Sequence, residues 1–384
     1  MAISSEAGAP KHQSMVQRSE DNDRPLRIVI VAPRIQHLVG GQEVQADLLL
    51  RLWRHDPALQ AAYLATNLQL PRWLERIPYL RTVVRFPLYL ADLLVGVREA
   101  DVVHVFSASF SSFLISTLPA YCVARIQRKK VIVNYHSGLA KTHLRASWIA
   151  RSILRKTDKV IVPSLYLVDV LREFHIEAQA IPNLVDLTLF PYRARDPLRP
   201  LLLCSRNLEP CYRIDLVIRA FAEVQKLYPE ARLWVLGEGS QESAIRRLIA
   251  DLKLSGVEMA GRVPRESIGS FYDKADILIN ASRVDNMPVS ILEAFASGLP
   301  VVTTDAGGIP YIVRHEQTGL ISNKDDWHQL AANVIRLLQD STLARQLAEN
   351  AHRQSFTYRW SAVREHWLRL YRELDQPGSN PRSV

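Results

Sequence analysis

The stretch RVDNMPVSILEAFASGLPVVTTDAGG, from Arg283 to Gly308, contains a loop, a helix, a strand and a Gly-Gly turn in direct succession. Pro288 suits the start of the helix, because its missing N–H would have no helical partner there in any case. Asp285 lies just before this helix and Glu293 lies inside it. The pattern therefore predicts an α/β unit in which two carboxylates lie near a helix N-terminus.

This helix N-terminus and its two carboxylates have a chemical interpretation and a structural one. The first backbone N–H groups, those of Val289 and Ser290, would point at a bound anion from the positive end of the helix. Asp285 could then accept hydrogen bonds from sugar hydroxyls, and Glu293 could accept them from a ribose diol. In the structural alternative, Asp285 caps the helix and Glu293 is a solvated helix residue.

The alternation of apolar strand and amphipathic helix repeats along the chain from Leu26 onward. The apolar runs are LRIVIVAP, ADVVHVFS, KKVIVNYH and DKVIVPS in the first half, and LLLCSR, ARLWVLGEG, VEMAGRV, ADILINAS, PVVTTDAGG and GLISN in the second. Such runs are typical of strands buried on both faces, and their alternation with helices predicts α/β domains with doubly wound parallel sheets. Ligands bind such sheets at the carboxyl ends of the strands.

The length of 384 residues is too great for one ordinary hydrophobic core, so we expect two domains with a cleft between them. The Arg- and Pro-rich stretch Phe190–Pro200 lacks apolar periodicity and is interpreted as the linker. The last helix carries an aromatic stripe, which packs either within the second domain or back on the first. The predicted divisions are a disordered tail at 1–25, a first domain at 26–190, a second domain at 191–357, a helix at 358–375 that packs back on the first domain, and a disordered tail at 376–384.

The net charge of +9 and the pI near 9.5 indicate either a generally basic surface or an anionic partner. Nucleic acid is disfavoured as that partner, because the basic residues do not cluster with stacking aromatics on one recognition element. We expect no metal, since no cluster has metal-ligand spacing, including the cysteines Cys122, Cys204 and Cys211. The nearest approach to a membrane span, Phe86–Val97, is too short to cross a bilayer.

The stretch VDNMPVSILEAFASGLPVVTTDAGGIPYIV, residues 284–313, resembles the donor-binding segment of the family 4 glycosyltransferases. That family has the GT-B architecture, in which two Rossmann-like domains with doubly wound parallel sheets face a central cleft. Its segment carries two glutamates separated by seven residues. Glu293 matches the second glutamate, associated with the nucleotide ribose. Asp285 stands at the first, associated with the donor sugar and with catalysis, and is shorter by one methylene. The other donor-binding residues implied by this resemblance are Met287, Pro288, Val289 and Ser290.

Two segments extend the resemblance into the first half of the chain. GGQEVQADLLLRLW is similar to the family's first loop and helix, which makes Gly40 and Gly41 a phosphate or acceptor loop. NYHSG is similar to a loop whose histidine lies close to the donor sugar, and His136 matches it. The structural alternatives are an ordinary tight turn for the glycines and a buried structural role for the histidine.

Two more segments extend it into the second half. CSRNLEPCYRID resembles the segment in which an Arg and a Lys hold the donor diphosphate. Arg206 matches the Arg, whereas Tyr212 stands at the Lys position and Arg213 follows it. A phenol cannot neutralise a diphosphate, so either Arg213 substitutes for the Lys or Arg206 carries the charge alone. LGEGS is similar to a loop that places Gly237 beside the nucleotide.

The resemblance implies an anomer-retaining, metal-independent hexosyltransferase, with Asp285, His136 and Arg206 as its catalytic residues. It implies a nucleotide-sugar donor, UDP- or GDP-linked, and a glycan or lipid-linked acceptor. The implied role is in cell-surface polysaccharide, lipopolysaccharide or glycolipid synthesis. Two alternatives stay open: a catalytically weak nucleotide-sugar binding protein, which would explain Asp285 and Tyr212, and a GT-B-like nucleotide-sugar epimerase.

The segment from Arg72 to Arg98 combines five Arg with many aromatic and aliphatic residues. One interpretation is a basic amphipathic surface that contacts an anionic membrane or a lipid-linked acceptor. The other is a core helix with an Arg-rich solvent face. The first interpretation predicts a cytoplasmic protein with peripheral contact to the inner face of the cell membrane.

Overall fold

The computed structural model describes residues 25–34, 40–75, 77–107 and 109–376. The tails predicted at 1–25 and 376–384 lie outside these ranges, apart from Pro25 and Gln376. The described chain forms two six-stranded sheets, and the strand pairs in both are parallel. Helices connect successive strands, so the predicted doubly wound parallel sheets are confirmed.

The first sheet has the strand order β2-β1-β3-β4-β5-β6. Its strands are β1 (Leu26–Ala32), β2 (Leu59–Ala65), β3 (Val102–Ser107), β4 (Lys130–Tyr135), β5 (Lys159–Val162) and β6 (Gln179–Ala180). Its helices are α1 (Gly41–Arg54), α2 (Arg72–Glu75), α3 (Pro78–Gly96), α4 (Leu118–Ile126), α5 (Ala140–Ala146), α6 (Trp148–Lys156) and α7 (Leu165–Arg172). A π-helical turn, Phe113–Thr117, leads into α4.

The second sheet has the order β12-β11-β10-β7-β8-β9. Its strands are β7 (Leu201–Ser205), β8 (Arg232–Leu236), β9 (Val257–Gly261), β10 (Ile277–Ile279), β11 (Val301–Thr304) and β12 (Leu320–Ser322). The helices of this half are α8 (Ile214–Leu227), α9 (Glu242–Asp251), α10 (Arg265–Lys274), α11 (Val289–Ser297), α12 (Trp327–Gln339), α13 (Ser341–Ser355) and α14 (Trp360–Asp375). None of the helices in the described ranges has the length and apolar composition needed to cross a membrane.

The ten apolar runs of the sequence all form strands, whereas β2 and β6 were not predicted. Both are edge strands of the first sheet. β2 (LQAAYLA) is half exposed and lacks a β-branched run, and β6 has only two residues. Edge strands are covered on fewer sides, so their sequences carry a weaker apolar signal than central strands do.

The helix α11 lies wholly inside the second domain. All nine of its residues are buried, and it packs against α13 and β11. It ends at Gly298, whose φ of +70° suits a left-handed helix terminus. A helix that is buried along its whole length belongs in a core. The packing of the helix body therefore fixes the position of its N-terminus.

The last helix, α14, packs on the first sheet although it follows the second domain. Tyr371 Oη lies 2.8 Å from Nδ1 of His104, which is buried in β3. Arg364 forms an ion pair with Asp56, just beyond α1. The second half of the chain thus contributes part of the core of the first domain.

Candidate active site

A cavity of about 220 Å³ lies in the cleft between the two sheets. The first half contributes the loop at Gly40 and Gly41, which precedes and opens α1. The second half contributes the ends of β7 and β8, the segment before α10 and the start of α11. The structure brings together around this cavity the following predicted residues: Gly40, Gly41, Arg206, Tyr212, Gly237, Val289, Ser290 and Glu293.

Arg206, just after β7, is paired with Asp285 on the opposite loop. Its Nη2 donates a hydrogen bond to Oδ2 of Asp285, and the two side chains are only 12% and 11% exposed. Burial is the largest single effect and lowers the pKa of Arg206, but the charge of Asp285, together with smaller contributions from Tyr212 and two nearby cysteines, raises this pKa above its ordinary value. The guanidinium also lies 4.0 Å from the ring centre of Tyr212, within cation–π range. Arg206 therefore stays charged at the cavity wall.

Asp285 does not cap α11, contrary to the structural alternative. The N-cap is Pro288, which has no side-chain cap, and Oδ1 of Asp285 instead accepts from the N–H of Asn286 at 2.9 Å. The backbone oxygen of Asp285 accepts from Gly308 N at 3.1 Å. A Cβ at residue 308 would lie 2.0 Å from the Asn286 oxygen, so the turn after β11 supports the loop only with glycine there.

Glu293 is buried, so its interpretation as a solvated helix residue is wrong. It is 3% exposed, and its Oε1 accepts a hydrogen bond from Nη1 of Arg265 at the start of α10. Arg265 also lines the cavity and lies over the ring of Phe190 at 5.2 Å. Burial, followed by the charge of Glu293, raises the pKa of the Tyr272 phenol. Arg265 was not identified from the sequence, because an Arg opening a helix is usually exposed.

Arg213 does not line the cavity. It adopts a left-handed conformation (φ 49°) at the end of the turn 210–212 and pairs with Asp215 and Asp325. Asp325 also pairs with Arg283 at 2.9 Å, at the beginning of the loop that carries Asp285. The guanidinium predicted as a substitute for the missing Lys is thus held by two carboxylates beside the donor loop.

His136 lies outside the large cavity, at the carboxyl end of β4. It lines a separate small cavity of about 10 Å³ together with Asn183 and Trp367. Its ring is 5.5 Å from that of Phe106, and Nε2 has no hydrogen-bond partner among the described residues. Burial lowers its pKa to about 4, so the imidazole is neutral at neutral pH. A neutral imidazole can donate a hydrogen bond to a hydroxyl or accept one from it.

The first domain contacts the Asp285 loop directly. A Cβ at Gly138, two residues after His136, would lie 3.2 Å from Val284 and 4.0 Å from the Asp285 Cα. Ser164 Oγ donates a hydrogen bond to the side chain of Asn286. These contacts place the loop that follows His136 against the loop that carries Asp285.

Met287 and Pro288 lie next to the cavity without lining it. The Met287 sulfur lies 3.4 Å from Asn183 N, and the Met287 carbonyl accepts from Asn183 Nδ2 at 2.9 Å. Met287 therefore connects the two domains. Pro288 precedes the first turn of α11, where the structure places Val289 and Ser290 at the cavity.

Two more glycines line the cavity, and the carboxylate of Glu43 lies beside the loop at Gly40 without lining it. Gly237 has a φ of +127°, and a Cβ there would lie 2.4 Å from the carbonyl oxygen of Arg206. Gly41 faces Val289 across the cleft, with 3.6 Å between its Cβ position and Val289 Cγ2. Glu43, in the first turn of α1, was not identified from the sequence, and burial raises its pKa. The part of the chain that the structure describes contains no group of three or more His, Cys, Asp or Glu able to hold a metal ion.

Two family models match the chain. Residues 36–189 match the model described as Glycosyltransferase Family 4, and residues 191–354 match the model described as Glycosyl transferases group 1. Among curated relatives, exopolysaccharide phosphotransferase SCO2592 of Streptomyces coelicolor is 33% identical over 209 residues, which are 53% of this chain and 22% of that protein. The chain thus spans about a fifth of that relative's length, and about half the length of another curated relative.

Solved structures match nearly the whole fold. Sucrose-phosphate synthase from Thermosynechococcus elongatus superposes with a TM-score of 0.71 at 21% identity, covering 91% of this chain and 99% of that one. Anabaena Alr3699/HepE in complex with UDP-glucose superposes with a TM-score of 0.70 at 16% identity, covering 91% and 100%. These similarities concern the arrangement of both sheets, including the cleft between them.

Proposed function

The chain belongs to the family 4 glycosyltransferases of the group 1 type and has their GT-B fold, and on this premise we propose that it is a retaining glycosyltransferase. It transfers a hexosyl group from a nucleotide sugar to a hydroxyl group of an acceptor. The observation that carries the proposal is the cleft cavity, where Arg206, Glu293 and the N-terminus of α11 converge. Alr3699/HepE, which shares the fold, binds UDP-glucose in its solved complex. The proposed donor is a UDP- or GDP-sugar.

The diphosphate of the donor is assigned to Arg206 and to the first turn of α11. The opening N–H groups of a helix have no acceptors within the helix and form its positive end. Val289 and Ser290 supply these groups at the cavity wall, opposite Gly41. Arg206 adds a permanent positive charge at the same wall. This arrangement stabilises an anion without a metal ion, so the proposed enzyme is metal-independent.

The nucleoside is assigned to the end of the cavity that contains Glu293. Its buried carboxylate can accept hydrogen bonds from both hydroxyls of a ribose. Hydrogen bonds to a charged carboxylate are stronger than hydrogen bonds to a neutral acceptor. Arg265 donates a hydrogen bond to Oε1 of Glu293. The second oxygen and its remaining lone pairs are the acceptors available to the ribose. Gly237 keeps the backbone beside this region free of a side chain.

The proposed reaction breaks the bond between the anomeric carbon and the leaving phosphate oxygen. The acceptor oxygen bonds to the anomeric carbon on the same face, and the departing diphosphate takes the proton of the acceptor hydroxyl. Negative charge grows on the diphosphate as the bond breaks, and Arg206 stabilises it. Asp285 orients the sugar and favours positive charge at the anomeric carbon. Neutral His136 contributes a hydrogen bond to the sugar from the first domain.

The proposed biological role is in cell-surface polysaccharide, lipopolysaccharide or glycolipid synthesis. The name of the SCO2592 relative refers to exopolysaccharide, which supports this class of product. The acceptor is then a glycan or a lipid-linked glycan. The proposal places the enzyme in the cytoplasm, at the inner face of the cell membrane, where nucleotide sugars and lipid-linked acceptors meet.

A catalytically weak nucleotide-sugar binding protein is the second candidate. The observation that favours it is the direct pairing of Arg206 with Asp285. Each residue neutralises the charge that the other would use in the reaction. Such a protein would bind the nucleotide sugar without transferring the sugar. Binding and turnover measurements on the same variants therefore distinguish the two candidates.

The test is titration calorimetry of the full chain with UDP, GDP and ADP, using the variants Arg206→Ala and Glu293→Ala. The matched controls are Arg219→Ala and Glu230→Ala, which change exposed residues of the same types outside the cavity. We expect one nucleotide to bind, both site variants to lose at least tenfold in affinity, and both controls to bind normally. The binding of no nucleotide, or equal binding by all variants, would refute the assignment. Release of free nucleotide from the matching sugar donor then separates a transferase from a binding protein.

A further inference from the structure

The exposed apolar side chains of this protein are concentrated on one side of one domain. Twenty large apolar side chains are exposed among the described residues, and fifteen of them lie between residues 73 and 165. This segment includes α3, the π-helical turn, α4, α5 and α6, whose inner faces cover the same face of the first sheet. The outer side of this helical layer is therefore unusually apolar for a water-exposed surface.

The helix α3 shows the anomaly most clearly. Its inner stripe, which includes Tyr89 and Leu93 and continues to Val97 just after the helix, is buried at 0–1% exposure, as the core side of a helix should be. Its outer side also carries apolar residues, including Val83 at 68% and Val95 at 75% exposure. A surface helix ordinarily has polar residues opposite its core stripe. A helix that is apolar on both sides is expected to contact a second apolar environment in addition to the protein core.

The apolar surface continues from α3 toward the cleft. Tyr89 Oη donates a hydrogen bond to the Ser116 carbonyl at 2.9 Å, which joins α3 to the π-helical turn. On the far side of that turn, the Phe110 ring lies 5.1 Å from that of His143 in α5. Trp148, which opens α6, is 70% exposed. We call the outer side of α3, the π-helical turn, α5 and the start of α6 the docking face.

The charge of this segment indicates which partner the docking face fits. Residues 72–156 contain fourteen Lys and Arg but only four Asp and Glu. The net charge of this stretch alone is therefore greater than that of the whole chain, which is +9. A second copy would bring the same excess of positive charge and be repelled. A surface that combines apolar side chains with positive charge complements an anionic lipid bilayer.

We propose that the docking face binds the surface of an anionic lipid bilayer. Val83, Val95 and Trp148 enter the boundary between headgroups and acyl chains, and exposed basic residues of the same segment, including Arg81 and Arg145, pair with lipid phosphates. The inference stands independently of catalysis. One consequence does rest on the proposed function. Phe110 and the exposed Leu139 follow the carboxyl ends of β3 and β4, so the docking face reaches the strand ends that face the cleft, where a lipid-linked acceptor would enter.

The experiment is flotation of the full chain, without donor, on vesicles of phosphatidylcholine alone or with about a third phosphatidylglycerol. The test variant is the double substitution Val83→Gln and Val95→Gln, because Gln is at least as good a helix former as Val. The matched control is Leu227→Gln with Leu252→Gln, which removes exposed apolar residues from the second domain. We expect binding to the anionic vesicles only, a loss of about tenfold in partitioning for the test variant, and normal partitioning for the control.

Three outcomes would overturn the proposal. The first is a wild-type chain that does not float with anionic vesicles, and the second is equal flotation of the test variant. The third is a dimer in sedimentation that the test variant abolishes, which would assign the docking face to a second copy. Nucleotide binding by the test variant, measured by calorimetry, shows that it is folded. Failure of the wild type to bind any nucleotide would refute the proposed function and leave the vesicle result unaffected.

Discussion

Arg206, at the wall of the cleft cavity, forms an ion pair with Asp285, although 79 residues separate them in sequence. In the proposed reaction Arg206 stabilises the negative charge of the diphosphate and Asp285 orients the sugar. We expect Asp285→Asn to lower kcat by about a hundredfold or more, because the charge that aids the transition state is lost. Binding of the nucleoside diphosphate should become about fivefold tighter, since a negative charge next to the phosphates is removed. Steady-state kinetics and calorimetry measure the two effects.

Arg206→Gln is the matched comparison for that prediction. It keeps a hydrogen-bond donor but removes the positive charge, so both nucleotide affinity and kcat should fall. Opposite changes in affinity for the two variants would establish their separate roles. Equal changes in affinity, or full turnover by Asp285→Asn, would contradict the assignment of these two residues.

Tyr212 stacks on the Arg206 guanidinium at a position where the family usually has a Lys. Tyr212→Phe keeps the ring and should leave nucleotide affinity within about twofold of wild type, because the stacking depends on the ring face. Tyr212→Lys should tighten diphosphate binding at low salt by about tenfold, and added salt should reduce the gain. Calorimetry at two salt concentrations checks both. A large loss in Tyr212→Phe would show that the hydroxyl itself binds the ligand.

Arg265 and Glu293 form a second pair, and Glu293 has almost no exposed surface. Arg265→Met leaves a buried carboxylate without its partner and should lower the free energy of unfolding by about 3 kcal/mol. The double variant Arg265→Met with Glu293→Met should recover most of that loss, because no buried charge is left unpaired. Urea unfolding of the three proteins measures this. A double variant less stable than Arg265→Met would contradict the explanation.

His104 predicts a pH dependence of stability. Burial, with a smaller contribution from His136, lowers its pKa from 6.5 to about 3. The unfolded chain therefore binds more protons than the folded chain between these values, and stability falls as the pH drops through 6.5. At pH 5 the loss from this one histidine is about 2 kcal/mol relative to pH 7. His104→Gln should show a smaller difference between the two pH values, measured by urea unfolding, and an unchanged difference would count against burial as the cause.

The positions of the strands could be predicted from the sequence because the signal is local. Most of the ten predicted strands are nearly continuous apolar runs, and the central strands of both sheets need such runs on both faces. The edge strand β2 escaped prediction because it is half exposed. The glycine turns could be predicted from the sequence in the same way. Gly237 has a positive φ and a close backbone contact that exclude a side chain.

The charge pairs of the site could not be predicted in the same way. Arg213 follows Tyr212 in sequence and yet turns to Asp325, 112 residues later, so adjacency to the site did not place it in the cavity. Arg265 opens a different helix from Glu293, and only the packing of α10 beside α11 brings them together. A side chain's partner depends on which elements become neighbours, which local sequence does not encode.

The sequence by itself determined two parallel-sheet domains and the helix N-terminus beside Asp285, because apolar periodicity and turn chemistry act over a few residues. The tertiary structure decided which charges are paired, that Glu293 is buried, that α14 returns to the first sheet, and that the outer side of α3 has no covering element among the described residues. Those properties arise when distant segments exclude water between them, or leave a surface exposed to it.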